Sequence, residues 1–203
     1  MDRDLEFLYE IGAVRLIPRQ WHRFHMGGVA NLADHHFRVA WLALVIAARE
    51  GVKVDDAKML KMALAHDIAE SRTGDVDYLA RQYVERDESK GLADMLADTS
   101  VHEEIMQLVS EYEERGSLEA KIVKDADNLD VDMELQEQAA QGHTLPGDWR
   151  KNRELVGRTK LYTDTARKIQ AAIFASNPHD WHLKSPSNRV NGGDWKPKQS
   201  KGK

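Results

Sequence analysis

Residues 60–76, LKMALAHDIAESRTGDV, constrain this chain more than any other stretch. Met59, Leu60, Ala63 and Leu64 recur at helical spacing and mark a helix with a buried face. His66, Asp67, Glu70, Arg72 and Asp75 follow directly. So many ionisable groups at the end of an apolar helix cost burial free energy unless they are solvated, paired or metal-bound. The rest of the chain must pack helices around this segment and supply partners for its polar groups.

The flanking sequence supplies helices. Residues 4–14 carry Leu5, Leu8, Tyr9 and Ile11 in a helical pattern that Pro18 interrupts. A basic, aromatic and turn-prone loop, RQWHRFHMGGVANL, follows at 19–32. A second helix is predicted over 33–48, with Phe37, Ala40, Trp41, Leu44, Val45 and Ala48 as its apolar face and Gly51 as its stop. The third enters the organising stretch at about Asp55, and Gly74 ends it or its extension. After a short helix, an exposed turn is expected at 88–91, then another short helix at 92–96. Ser100 and Glu103 have capping-box spacing for a helix reaching Gly116. Long helices over 117–141 and 150–176, separated by GHTLPGDW, complete the pattern. There is no convincing β alternation and no internal repeat. The fold class predicted is all-α: one helical-bundle domain over 1–176, of about six or seven helices, with an extended or disordered extension over 177–203.

Composition narrows the chemistry. The 203 residues are long enough for one sizeable core. A net charge of −5 argues against a nucleic-acid polymer as partner, though not against a small anion held by local Arg and Lys. There is no Cys, so any metal site must use His, Asp, Glu and water. No apolar run has the length of a membrane span, and MDRDLEFLYE lacks a signal-peptide layout, so no membrane partner and a cytoplasmic location are expected.

His35, His66 and Asp67, and Asp125, Asp127 and Asp130 all interrupt apolar helix faces. Bundle cores are where facing helices assemble His/carboxylate metal sites. Two imidazoles with two carboxylates suit Mn, Fe, Co, Ni or Zn better than Ca or Mg. A His-Asp dipeptide alone is a weak signal. A second one, His179-Asp180, follows Pro178 with no apolar helix to aim it, and it reads as a structural turn with Trp181.

The order His35, His66-Asp67, Asp127 resembles the H…HD…D signature of the HD-domain phosphohydrolases. HDIAE followed by SRTGDV resembles the HDxxE…TGD segment of the small 5′-deoxynucleotidases in that superfamily. NLADHHFRVAWLA and AKIVKDADNLD are similar to its first and third segments. The resemblance covers residues 4–175. It implies His35, His66, Asp67 and Asp127 as ligands of one divalent transition metal, Mn, Co, Zn, Fe or Ni. It implies Glu70 and Asp75 as acid/base or water-positioning carboxylates, Arg19 and Trp21 as nucleotide-site residues, and Lys124, with Arg81 as a lesser candidate, as phosphate-binding cations.

Alternatives remain at several of these positions. A one-residue shift would make His36 the ligand, although Asp34 and Arg38-Val39-Ala40 keep the family's register at His35. Asp130 can share a face with Asp127, whereas Asp125 is expected to be a solvated charge. Glu70 could orient His66, Asp75 could be a turn residue, and Trp21 could be a loop anchor. The activity implied is metal-dependent hydrolysis of (deoxy)ribonucleoside 5′-monophosphates to nucleoside and phosphate. A triphosphohydrolase acting on nucleoside triphosphates, or a nucleotide-binding module without turnover, are the alternatives. Relatives of this kind imply a homodimer.

Overall fold

The computed structural model describes residues 1–24 and 27–184. Among these residues there is no β-strand, only an isolated bridge between Pro18 and Asn31. The helices are α1 (Asp2–Gly12), α2 (Leu32–Glu50), α3 (Asp56–Ala65), α4 (Glu70–Thr73), α5 (Glu88–Leu96), α6 (His102–Glu114), α7 (Leu118–Ala140), α8 (Leu145–Thr159), α9 (Asp164–Ala175) and α10 (Asp180–Leu183). Short 3-10 turns span Ala13–Leu16, Gln20–Phe24 and Ala80–Gln82. Helix α7 is the axis, packed by α2, α3, α6, α8 and α9. Its residues Ile122, Val123, Ala126 and Leu129 meet Val39, Ile46, Met59, Met62 and Tyr112 in the main core.

Local chemistry sets the helix ends that matter here. Asn31 caps α2 in a reciprocal capping box with Asp34, which fixes the turn on which His35 stands. Ser117 caps α7 by accepting from the Ala120 amide. Helix α3 stops at Ala65, and the chain turns through His66–Ala69 before α4. Gly74, at φ +75°, then ends α4 in a conformation that L side chains rarely adopt.

Several expectations are corrected. The buried face of α2 is Leu32, His35, His36, Val39, Leu42, Ala43, Ile46 and Ala47. Phe37, Trp41, Val45 and Ala48, taken from sequence as its core stripe, are exposed. The helix is apolar nearly all round, and the two histidines made its true core face look the more polar one. Residues 88–91 are not a turn but the start of α5, capped by Asp87. Ser100 and Glu103 form no capping box. Val101 is the N-cap of α6 without a side-chain bond, and the Ser100 amide donates to Asp4 Oδ1 at 2.7 Å. The predicted helix over 150–176 is two helices, α8 and α9, and α8 begins five residues earlier with Pro146 in its first turn.

Asp125 is not a solvated charge. It is fully buried and accepts from the Tyr162 amide (2.7 Å), the Thr163 amide (2.8 Å) and Thr163 Oγ1 (2.8 Å). It thereby holds the break between α8 and α9. His179-Asp180 opens α10, and Asp180 pairs with Lys184 at 2.6 Å. Of the extension over 177–203, residues 185–203 lie outside the described residues.

Candidate metal centre

Three helical segments bring four donors together. His35 comes from the first turn of α2, His66 and Asp67 from the turn after α3, and Asp127 from the middle of α7. One donor atom from each lies within 4.8 Å of all the others. His35 Nε2 is 3.2 Å from His66 Nε2, 3.4 Å from Asp127 Oδ1 and 3.7 Å from Asp67 Oδ2. His66 Nε2 is 3.3 Å from Asp67 Oδ2. Both histidines are buried and both aspartates are only partly exposed.

The outer nitrogens of the two rings are occupied, which leaves Nε2 of each facing the cluster. His66 Nδ1 bonds the Ala63 carbonyl at 2.9 Å, and His35 Nδ1 bonds Asp130 Oδ2 at 2.6 Å. Asp130 is therefore the group that orients His35, and it is itself held by Arg38, which also bonds Glu137 at 2.7 Å. Burial opposes protonation of His35, as does Arg19, yet Asp127, Asp130 and Asp67 outweigh them and raise its pKa well above the ordinary value. The cluster thus favours positive charge. Two imidazole nitrogens and two carboxylate oxygens so arranged fit one divalent transition ion, with room for further ligands. His36, one residue on, points elsewhere. It lines an apolar groove with Phe7, Ile11 and Ile68, and burial first, then His66, lowers its pKa well below the ordinary value.

Removing the carboxylate that orients a liganding histidine weakens metal binding by about 10–100-fold. Asp130→Asn should therefore lower metal affinity within that range while the helical content stays unchanged. Metal titration followed by circular dichroism would check this, and affinity equal to wild type would remove Asp130 from the site.

A polar cavity of about 330 Å³ opens beside the cluster, lined by Asp67 and Asp127 and by Glu70, Arg19, Trp21 and Lys124. Arg19 and Asp75 form a buried pair at 2.8 Å, and the Gln20 amide donates to Asp75 at 3.1 Å. Asp75 thus fixes the loop that carries Arg19. Burial opposes the Arg19 charge, but Asp75, Asp127 and Asp67 more than offset it. Arg19 Nε, Trp21 Nε1 and Glu70 Oε2 are buried without a partner. Trp21 packs on Val131 and Leu135, with Trp149 5.1 Å away. Lys124 Nζ bonds Asp127 Oδ2 at 2.7 Å. Burial, with Asp67 and Asp75, pushes the Glu70 carboxyl up to about 9 against Arg19 and Arg86. Arg81 is exposed at the edge, donating to the Val76 carbonyl.

The cavity holds further residues that sequence reasoning missed. Arg86 bonds Glu70 at 3.2 Å and Glu88 at 2.7 Å. Arg115 lies over the Tyr112 ring at 4.0 Å. Asn128 and Arg153 form part of the wall beyond Asp127. Only Asn128 had a usable signal, its place beside Asp127. The arginines lie in segments with no spacing relation to the histidines.

Fold and cluster together define a helical-bundle protein with a mixed imidazole–carboxylate cluster able to hold a metal ion. The HD domain family model matches residues 11–170, and the chain belongs to the HD-domain family. It is 32% identical over 143 residues to the 5′-deoxynucleotidase HDDC2 of Danio rerio, covering 68% of this chain and 70% of that protein. It is 28% identical over 190 residues to the 5′-deoxynucleotidase HDDC2 of Homo sapiens, covering 86% and 91%. Among solved structures, the PH0347 protein of Pyrococcus horikoshii superposes with a TM-score of 0.69 at 28% identity, over 83% of this chain and 97% of that one. A predicted metal-dependent phosphohydrolase of Magnetospirillum magnetotacticum shares the fold, with a TM-score of 0.69 at 22% identity over 86% and 93%.

Proposed function

We propose that this chain hydrolyses the phosphate ester of (deoxy)ribonucleoside 5′-monophosphates to nucleoside and inorganic phosphate. The observation that carries the reading is the convergence of His35, His66, Asp67 and Asp127 beside a cavity that presents Arg19, Lys124 and Glu70. The 5′-deoxynucleotidase relatives support the substrate class. A divalent ion held by the four donors would supply Lewis acidity and would make a nearby water more acidic than bulk water.

The chain's own residues do the rest. Arg19, with its unpartnered Nε, and Lys124 hold the phosphate and offset the charge that develops on its oxygens. Water attacks phosphorus, the P–O5′ bond breaks, and the departing O5′ takes a proton to become the nucleoside hydroxyl. Glu70, whose buried carboxyl resists ionisation and which lines the cavity, hands over that proton in this reading. Trp21 packs against sugar or base. Asp75 acts through Arg19, and Arg81 has no more than an outer role.

The second reading, release of triphosphate from a nucleoside triphosphate, draws on Arg81, Arg86 and Arg115 at the cavity. Engagement of Arg86 by Glu70 and Glu88 weighs against it. Protein stripped with chelator and reloaded singly with Mn, Co, Zn, Fe, Ni or Mg would be given nucleoside mono- and triphosphates, with phosphate and triphosphate measured separately. Metal-dependent phosphate release from monophosphates is expected. Triphosphate release would establish the second reading, and binding without turnover would leave a nucleotide-binding module.

The same proposal includes a cytoplasmic homodimer. No helix among the described residues is long and apolar enough to cross a membrane. Leu8, Phe37, Trp41 and Leu64 are exposed on adjoining parts of α1, α2 and α3, and a second copy would cover them. Phe37→Asp should shift the mass seen by light scattering from dimer to monomer. A wild-type monomer at all concentrations would refute the dimer.

A further inference from the structure

We propose that Arg153 reads the base of the nucleotide and selects guanine or cytosine over adenine and thymine. The inference rests on the nucleotidase reading for its substrate class. At one part of the cavity stand the metal ligands with Arg19 and Lys124. One helical turn along α7, about 6 Å further, the wall is Val131 with Trp21 packed on it, flanked by Asn128 and Arg153. The cavity surface there is mostly polar, and at that distance from the phosphate end it suits the hydrogen-bonding edge of a nucleobase.

Arg153 is held as a fixed fork. Its Nε donates to Asp132 Oδ1 at 2.6 Å and its Nη2 to the Asn128 carbonyl at 2.7 Å. Nη1 has no partner among the described residues. It is also absent from the buried unpartnered atoms, unlike Arg19 Nε and Arg115 Nη1, so it is solvent-accessible, and Arg153 lines the cavity. The platform beneath is built for this placement. Asp132 is buried, and its second oxygen accepts from Gln170 Nε2 at 2.8 Å, which also bonds the Arg153 carbonyl at 3.1 Å. A Cβ at Gly157 would stand 1.7 Å from Gln170 Oε1, so the Gln170 amide keeps this position only beside a glycine.

The free end of the guanidinium offers parallel N–H groups from Nη1 and Nη2, which match two adjacent acceptors. Guanine presents such a pair at O6 and N7, and cytosine at O2 and N3. Adenine and thymine place a donor beside each acceptor on the same edges. A terminal phosphate also offers paired acceptors, but it would draw on Arg153 without regard to base.

The test uses the full-length, metal-loaded protein with dGMP, dCMP, dAMP and dTMP. KM and kcat are measured separately. Kd is measured by calorimetry on a Glu70→Gln background so that nucleotide is not consumed. Wild type should favour dGMP and dCMP by about tenfold, within the range of a bidentate arginine–base pair. Arg153→Ala and Arg153→Lys should both collapse that ratio, mainly through KM and Kd, since lysine keeps the charge but not the fork. Asp132→Asn should reduce the ratio while leaving Arg153 in place. Equal losses on all four nucleotides would make Arg153 a structural or phosphate contact and overturn the proposal. Absence of a base preference in wild type, or of any nucleotide binding, would overturn it too. Binding without turnover would instead sink the nucleotidase reading, and the Kd ratios would still decide Arg153.

Discussion

Asp67→Asn should lower phosphate release by about a thousandfold or more and release the metal ion, with the helical fold unchanged. The substitution keeps the shape of the side chain and removes one of the two carboxylates in the four-donor cluster. An amide oxygen is a weaker ligand than a carboxylate for a borderline-to-hard divalent ion. Losing the ion forfeits several kcal/mol of transition-state charge stabilisation, and each 1.36 kcal/mol is a factor of about ten in rate. A second readout does not depend on substrate. Ion at about a hundredfold over its Kd should stabilise wild type by about 2.7 kcal/mol, or roughly 5–10 °C in midpoint for a chain of this size. The variant should gain almost none of this. Full metal content and full thermal response in Asp67→Asn would mean that the ion sits elsewhere.

The helical architecture was legible because apolar periodicity survives wherever one face of a helix is buried. It misled at α2, where His35 and His36 lie inside and Phe37 and Trp41 lie outside. Buried histidines on a core face reverse the usual polarity argument, so His35, which pointed to the site, and His36 beside it disguised the face that bears them. The break between α8 and α9 carries no Gly or Pro. Asp125, a carboxylate almost forty residues earlier in sequence, makes it by accepting the two amides that the bend frees. No local pattern could announce that bond.

The candidate site divides in the same way. His35, His66, Asp67 and Asp127 sit in three segments whose order and local wording are distinctive, and the fold brings them within 4.8 Å of one another. The role of Asp130 was half legible, since its spacing gave the face and only the 2.6 Å bond to His35 gave the task. Arg86, Arg115 and Arg153 were not legible, because an arginine in a loop or on a polar helix looks the same in sequence whether it faces solvent or a cavity. Asp75 showed the opposite difficulty. Its motif suggested acid/base chemistry, while its contacts are with Arg19 and the Gln20 amide.

That difference makes Asp75 the second large test. Asp75→Ala should cost about 3–5 kcal/mol of unfolding free energy, because it strands the Arg19 guanidinium without its partner in a site where both groups are at most 3% exposed. Urea unfolding gives the size of the loss. Kinetics of the remaining folded protein give its meaning. A positioning residue should raise KM as the Arg19 loop loosens, whereas an acid/base group would lower kcat at similar KM. Arg19→Met with Asp75→Leu separates the two roles further. Apolar replacement of a buried pair is often neutral or stabilising, so the double variant should recover most of the lost stability. It should recover none of the affinity if Arg19 holds the phosphate as proposed, since that cation is gone. Recovery of both would show that the pair only fills space, and a kcat loss confined to Asp75→Ala would restore the acid/base role its motif suggested.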